Sequence, residues 1–190
     1  MRVFAALELP PPLKAELGGK LERLAETHPQ FRWTDEEKLH ITLLFMGELD
    51  ARQLTLFAEA VEEAARSTES IHIRAGEART LPAGKAARVL ALSFQEGGEK
   101  IAALAARIER NLVRRAKYEA CPFPAREKRP FTPHITIARK RGDCPAFFPA
   151  PLLAPGEGGA LVERVVIYES RLLRAGAEYT AIAAFTLRAC

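Results

Sequence analysis

Two tripeptides in this chain are identical: His40-Ile41-Thr42 and His134-Ile135-Thr136. The sequence holds four histidines, so half of them sit in this one triplet. Each triplet lies in an apolar-alternating stretch, LHITLLF (39–45) and PHITIAR (133–139), that reads as a β-strand. Successive side chains on a strand point to opposite faces. His40, Thr42 and Leu44 are therefore expected on one face, with Ile41, Leu43 and Phe45 on the other. His134, Thr136 and Ala138 are likewise expected opposite Ile135 and Ile137. Each strand buries an Ile/Leu face and presents an imidazole beside a hydroxyl.

Two such strands on one cleft suit in-line substitution at a phosphodiester. One imidazole takes a proton from the attacking hydroxyl or water, and the other gives one to the leaving oxygen. An unperturbed imidazole near pKa ~6.5 serves either role around neutrality. Threonine hydroxyls can donate hydrogen bonds to the non-bridging oxygens, where transition-state charge sits. A lone His-x-Thr is usually structural; its recurrence in both halves of the chain argues for a site. Zinc is disfavoured, because threonine is a poor ligand and no carboxylate accompanies either histidine at a ligand spacing. Gly84-Lys85 is not a phosphate-binding P-loop, since the spaced upstream glycine and the following Ser/Thr are missing. His28 reads as a loop residue, and His72 shares a strand face with Arg74.

The elements that must hold the two triplets are legible as periodicities. Strands are expected at 2–8, 39–46, 71–77, 88–94, at the second triplet, at 161–170 and at 179–188. Helices are expected at 11–27, 51–66 and 97–116; their stripes include Leu13, Leu17, Leu21 and Leu24, then Leu54, Phe57, Val61 and Ala65, then Ile101, Leu104, Ile108 and Leu112. Pro- and Gly-rich passages at 121–133 and 142–159 are loops. The mixture points to an α+β fold with mainly antiparallel sheets. Strand, helix and motif strand recur in that order in both halves, which suggests two pseudo-symmetric lobes. The whole chain, 1–190, is expected to be one bilobal domain facing a central cleft.

Composition sets the limits. Hydrophobic residues make up 48% and charged residues 27% of 190, an ordinary soluble balance. Cys121, Cys144 and Cys190 are an odd number without metal-like spacing, which favours a reducing compartment. MRVFAALELPPP is too short and too proline-rich for a signal peptide or membrane anchor, so a cytoplasmic protein with no membrane partner is expected. The net charge of +4 leans toward anionic partners.

The sequence resembles the RNA 2′,3′-cyclic phosphodiesterases, also called 2′-5′ RNA ligases (LigT or ThpR type), of the 2H phosphoesterase superfamily. The resemblance rests on MRVFAALELP, RWTDEEKLHITLLFMGEL, RVLAL, RPFTPHITIARKR and VIYESRL, and runs nearly the whole length. It implies a bilobal fold with two antiparallel sheets walling a cleft and helices outside. It implies hydrolysis of RNA 2′,3′-cyclic phosphate ends to 2′-phosphomonoesters, with ATP-independent 2′-5′ joining by the same site in reverse. Carried onto this chain, His40 is the proton donor, His134 the proton acceptor, and Thr42 and Thr136 hold the phosphate. No cofactor or metal is implied. The expected partners are RNAs with 2′,3′-cyclic phosphate or 5′-hydroxyl ends, tRNA-like fragments among them, and the protein is expected to be a monomer.

The residues alone leave the two histidines equivalent. Arg139 belongs to the resemblance, yet strict alternation sets it opposite His134; a strand bulge, a turn round the rim or a surface pairing would each account for it. Tyr168 belongs in the cleft or in the core. Trp33 and Phe131 flank the motif strands and either pack or stack on a base. A non-catalytic binder of RNA ends, or a sister phosphodiesterase acting on another cyclic or 2′-5′ nucleotide, competes with the leading reading.

Overall fold

The structure is a computed structural model that describes residues 1–82, 88–124, 130–142, 152–153, 157–173 and 176–189. Among the described residues nine strands form two antiparallel sheets, accompanied by three α-helices. Gly84, Lys85, Cys144 and Cys190 lie outside the described residues; Cys121 is buried as a free thiol.

The first sheet has the order β3-β1-β8-β9, from β3 (His40–Glu48), β1 (Arg2–Glu8), β8 (Arg164–Leu173) and β9 (Gly176–Thr186). The second has the order β2-β6-β5-β4-β7, from β2 (Phe31–Trp33), β6 (Ile135–Lys140), β5 (Val89–Glu96), β4 (Ile71–Leu81) and β7 (Gly159–Val162). In each sheet the motif strand pairs with the strand that precedes it across a helix, β1 for β3 and β5 for β6. The two sheets therefore repeat one plan.

Helix α1 (Pro11–Thr27) starts on Pro11 and Pro12, whose fixed φ and missing N–H suit the first turn. Its buried side includes Leu13, Leu17 and Leu21, as the helical spacing predicts. Gly18 on that side lets the 3-10 turn Glu36–Lys38 come close; a Cβ there would meet the Glu36 carboxylate at 2.6 Å. That turn leads straight into β3 and so sets where His40 begins. Helix α2 (Ala51–Arg66) is opened by a capping box. The Asp50 carboxylate accepts the Gln53 N–H at 2.8 Å, and the Gln53 side chain accepts the Asp50 N–H at 3.0 Å. Helix α3 (Gly98–Tyr118) packs along α2 and touches β3, β4 and β5, so it bridges the two sheets. Arg115 ties the helix pair together by reaching Glu59 at 2.6 Å and Glu63 at 3.0 Å. One continuous apolar core joins Phe57, Val61, Ile101 and Ile108 from the helices to Ile41, Leu92, Ile135 and Ile167 from both sheets.

Three features depart from the periodicity. β2 is a three-residue edge strand, too short to show a pattern. The expected strand 161–170 is two strands. Val162 ends β7 in one sheet, Glu163 breaks the ladder, and Arg164 starts β8 in the other. An unbroken run of strand-forming residues hid the change of sheet. Finally, both motif strands carry β-bulges, which change the faces beyond each threonine. No described helix is long and apolar enough to cross a membrane.

Candidate active site

β3 and β6 approach one another where the sheets meet, beside a groove of about 1070 Å³ that takes His40 and Thr42 from the first triplet and Thr136 from the second, while His134 stands outside its lining. His40, Thr42, Thr136 and Arg139 are among its lining residues. The histidines are held in the same way. His40 Nδ1 lies 2.7 Å from the Lys38 carbonyl, and His134 Nδ1 lies 2.8 Å from the Thr132 carbonyl. A carbonyl only accepts, so each Nδ1 carries the proton and donates. That leaves each Nε2 as the reactive nitrogen: a lone pair when the ring is neutral, a proton when it is charged. His40 Nε2 is 3.0 Å from Thr42 Oγ1, so the hydroxyl donates to it in the neutral ring.

The bulges fall at the same place in both motifs. On β3, Thr42 pairs with Ala6 and Leu44 with Ala5, so Leu43 is the extra residue. On β6, Thr136 pairs with Ala91 and Ala138 with Leu90, so Ile137 is the extra residue. A bulge shifts the alternation by one. Phe45, expected in the core with Ile41 and Leu43, is instead 45% exposed and lines the groove. Leu44, expected beside Thr42, packs against the core. Ala138, expected beside His134, is fully buried, and Arg139 turns to the groove in its place. Of the three accounts of Arg139, the bulge is the one the structure adopts. Phe45 and Arg139 thus occupy equivalent places on the two walls.

The His40 ring is set in aromatics. Phe4 lies 5.1 Å away, Tyr179 stands edge-on at 5.4 Å and Tyr168 is 6.2 Å away. Burial among them, helped by the neighbouring His134, Lys14 and Arg139 charges and opposed by the Lys38 carbonyl, lowers the His40 pKa from 6.5 to about 4. Tyr168 stacks on Phe4 at 5.3 Å, behind the groove wall, and burial pushes its phenol up. Tyr179, which the periodicity read only as part of a strand, lines the groove directly. Arg2 also lines it, with its guanidinium 4.9 Å above the Phe45 ring. Trp33 faces the groove while its indole N–H donates to the His28 carbonyl at 3.1 Å. Phe131 is exposed just before the second motif. His72 is exposed on β4, on the far side of its sheet from β6. Among the described residues, no group of three His, Cys, Asp or Glu converges as metal ligands.

The 2′-5′ RNA ligase superfamily matches residues 9–171. The chain belongs to that superfamily. A Thermus thermophilus relative named RNA 2′,3′-cyclic phosphodiesterase is 32% identical over 99% of this chain and 91% of its own. A Geobacillus stearothermophilus relative of the same name is 32% identical over 93% of this chain, which spans only 55% of the relative's length. Among solved structures, a Thermus thermophilus protein superposes with a TM-score of 0.82 at 28% identity, covering 100% of this chain and 99% of the other. Escherichia coli LigT solved with 3′-AMP superposes at 0.76 and 24% identity, over 98% and 97% of the two chains, which speaks for a shared fold. The α+β architecture with two antiparallel sheets is shared with these solved structures.

Proposed function

We propose that this protein hydrolyses RNA 2′,3′-cyclic phosphate ends to 2′-phosphomonoesters by two-histidine acid–base chemistry. The observation that carries the reading is the pairing itself: two histidines, each with Nδ1 committed to a backbone carbonyl, on two strands that meet at one groove. Two superfamily relatives named for this activity, each 32% identical, support the choice of substrate.

In this reading water attacks phosphorus in line with the 3′-oxygen. His134 Nε2 takes the water proton as the new P–O bond forms. The P–O3′ bond breaks, and the 3′-oxygen leaves as a hydroxyl with a proton from His40 Nε2. The 2′-phosphate stays on the ribose. Thr42 and Thr136 hydroxyls donate to the non-bridging oxygens, and Phe45 and Arg139 flank the terminal nucleotide. With an RNA 5′-hydroxyl in place of water, the same groups would join two ends through a 2′-5′ bond, which is the expected minor activity.

His40 is uncharged at neutral pH in the free protein, yet the donor role needs its proton. The substrate supplies the remedy. An anion about 4 Å away at an effective dielectric of ~20 contributes about 4 kcal/mol, or roughly 3 pKa units. That offsets the depression caused by burial, so His40 charges as the phosphodiester binds.

The test is incubation with an RNA ending in a 2′,3′-cyclic phosphate, with the product's phosphate position read by NMR. A 2′-phosphate formed by the unaltered protein and lost in His134→Ala is the expected result. Tight binding with no product would instead favour a non-catalytic RNA-end binder, and faster turnover of another cyclic or 2′-5′ nucleotide would favour a sister phosphodiesterase.

A further inference from the structure

Beyond the motif residues, one wall of the groove carries three exposed arginines in a strip. Arg32 on β2 is directly opposite Arg139 on β6, so the two share the groove face. Arg141 lies two residues further along, about 6–7 Å by strand rise, and its N–H bonds to the Gln30 carbonyl at 3.0 Å, which continues the ladder. All three line the groove. Like charges directly opposite on a sheet are destabilising. Here nothing offsets them: among the described residues, none of the three forms an ion pair with a carboxylate. Of the acids along the same groove, Asp35 is paired with Lys38 and Glu36 lies against Gly18 on α1, while Glu22 sits on the helix rim.

Near this strip the other sheet adds apolar surface. The end of the β8–β9 hairpin brings Leu172, 66% exposed, and Leu173, 49% exposed, to the groove. Gly176 follows them, with the Arg32 guanidinium 3.9 Å from where its Cβ would stand. Exposed leucines beside arginines that pair with no described carboxylate suit a chain that is anionic along one edge and flat and apolar along the other. Single-stranded RNA has that character; a bare polyphosphate has no use for the leucines.

The geometry points to a subsite for the nucleotides on the 5′ side of the reacting phosphate, with their phosphates on Arg32 and Arg141 and their bases against Leu172 and Leu173. This rests on the hydrolytic reading given above. Hydrolysis needs only water on the far side of the cyclic phosphate, so any further grip on the RNA falls on the 5′ side. The consequence is a preference for oligonucleotides over nucleotides.

The experiment compares adenosine 2′,3′-cyclic phosphate with a tetranucleotide ending in a 2′,3′-cyclic phosphate. The unaltered protein is expected to show a KM about tenfold lower for the tetranucleotide, the effect of one or two charge-assisted hydrogen bonds. Arg32→Ala/Arg141→Ala should abolish that advantage while kcat and KM for the mononucleotide hold. Equal KM values in the unaltered protein, or a double variant that loses both substrates alike, would overturn the subsite. A second readout needs no turnover: anisotropy of a labelled tetranucleotide ending in a 2′-phosphate, followed across a salt series. The slope of log K against log salt should flatten in the double variant by about 0.7 for each phosphate that an arginine no longer neutralises. A flattened slope in a protein that cleaves neither substrate supports the strip and sinks the hydrolytic reading; an unchanged slope with normal mononucleotide cleavage does the reverse.

Discussion

At the scale of single residues, the chemistry turns on one imidazole whose charge depends on what is bound. His40, depressed to about 4 by burial, should titrate at markedly higher pH when a 2′-phosphorylated nucleotide fills the groove. NMR of its ring protons with and without ligand reads this directly, and an unmoved titration would remove His40 as proton donor. The same depression shapes stability. Between pH ~6.5 and about 4 the unfolded chain binds a proton at this site and the native chain does not. Native stability from this group is therefore complete above pH ~6.5 and is lost as pH falls through about 4. Glu63, held below the usual carboxylate value by its bond to Arg114, likewise contributes stability that is lost as pH falls through its lowered pKa. Urea midpoints should fall across the His40 window, and His40→Asn should flatten that part of the curve. For catalysis, His40→Ala and His134→Ala should each come close to abolishing turnover with the fold intact by circular dichroism. Thr42→Ala and Thr136→Ala should each cost on the order of 10²-fold in kcat, as for loss of one oxyanion donor.

At the scale of elements, the bulges decide what the groove contains. The His-x-Thr part of each strand obeys the two-residue period, and both triplets were legible for that reason. Past each threonine the period fails. Leu43, Leu44, Phe45 and Met46 are four apolar residues in a row, which strict alternation on a half-polar strand does not accommodate; that run was the available sign of a bulge. Around Ile137 the sign was weaker, since Ile-Ala-Arg is consistent with either face. Phe45→Ala separates the two placements. A phenylalanine in the core would cost roughly 3–5 kcal/mol on truncation, as is expected for Phe57, which is fully buried. Phe45 should cost well under that and should raise KM for nucleotide substrates instead, as chemical denaturation and kinetics together would show. The capping box of α2 gives a contrasting prediction. Asp50→Ala should lower stability by about 1 kcal/mol, a fall of roughly 2–4 °C in Tm for a chain of this size, and leave kcat unchanged.

At the scale of the molecule, the three helices and the echo between halves followed from periodicity; the nine strands, against seven expected, and their partition into sheets did not. Pairing is settled by packing across the core, and the sequence around Glu163 carries no turn signal to mark where the chain leaves one sheet for the other. The acid–base reading also makes a prediction at this scale: the groove offers imidazoles and hydroxyls as working groups, so dialysis against EDTA should leave the rate unchanged, and recovery only on adding a divalent cation would overturn it. The passage of the chain through Glu163 has a further consequence. β1 and β3 near the start are completed by β8 and β9 near the end, while the sheet bearing His134 draws on β2 from the first quarter. The two lobes are therefore not the two halves of the polypeptide. A cut between β4 and β5 would give fragments that each carry one of the two His-x-Thr motifs and no complete sheet, so neither should fold alone, whereas the two mixed should reassemble by mutual complementation and regain activity together.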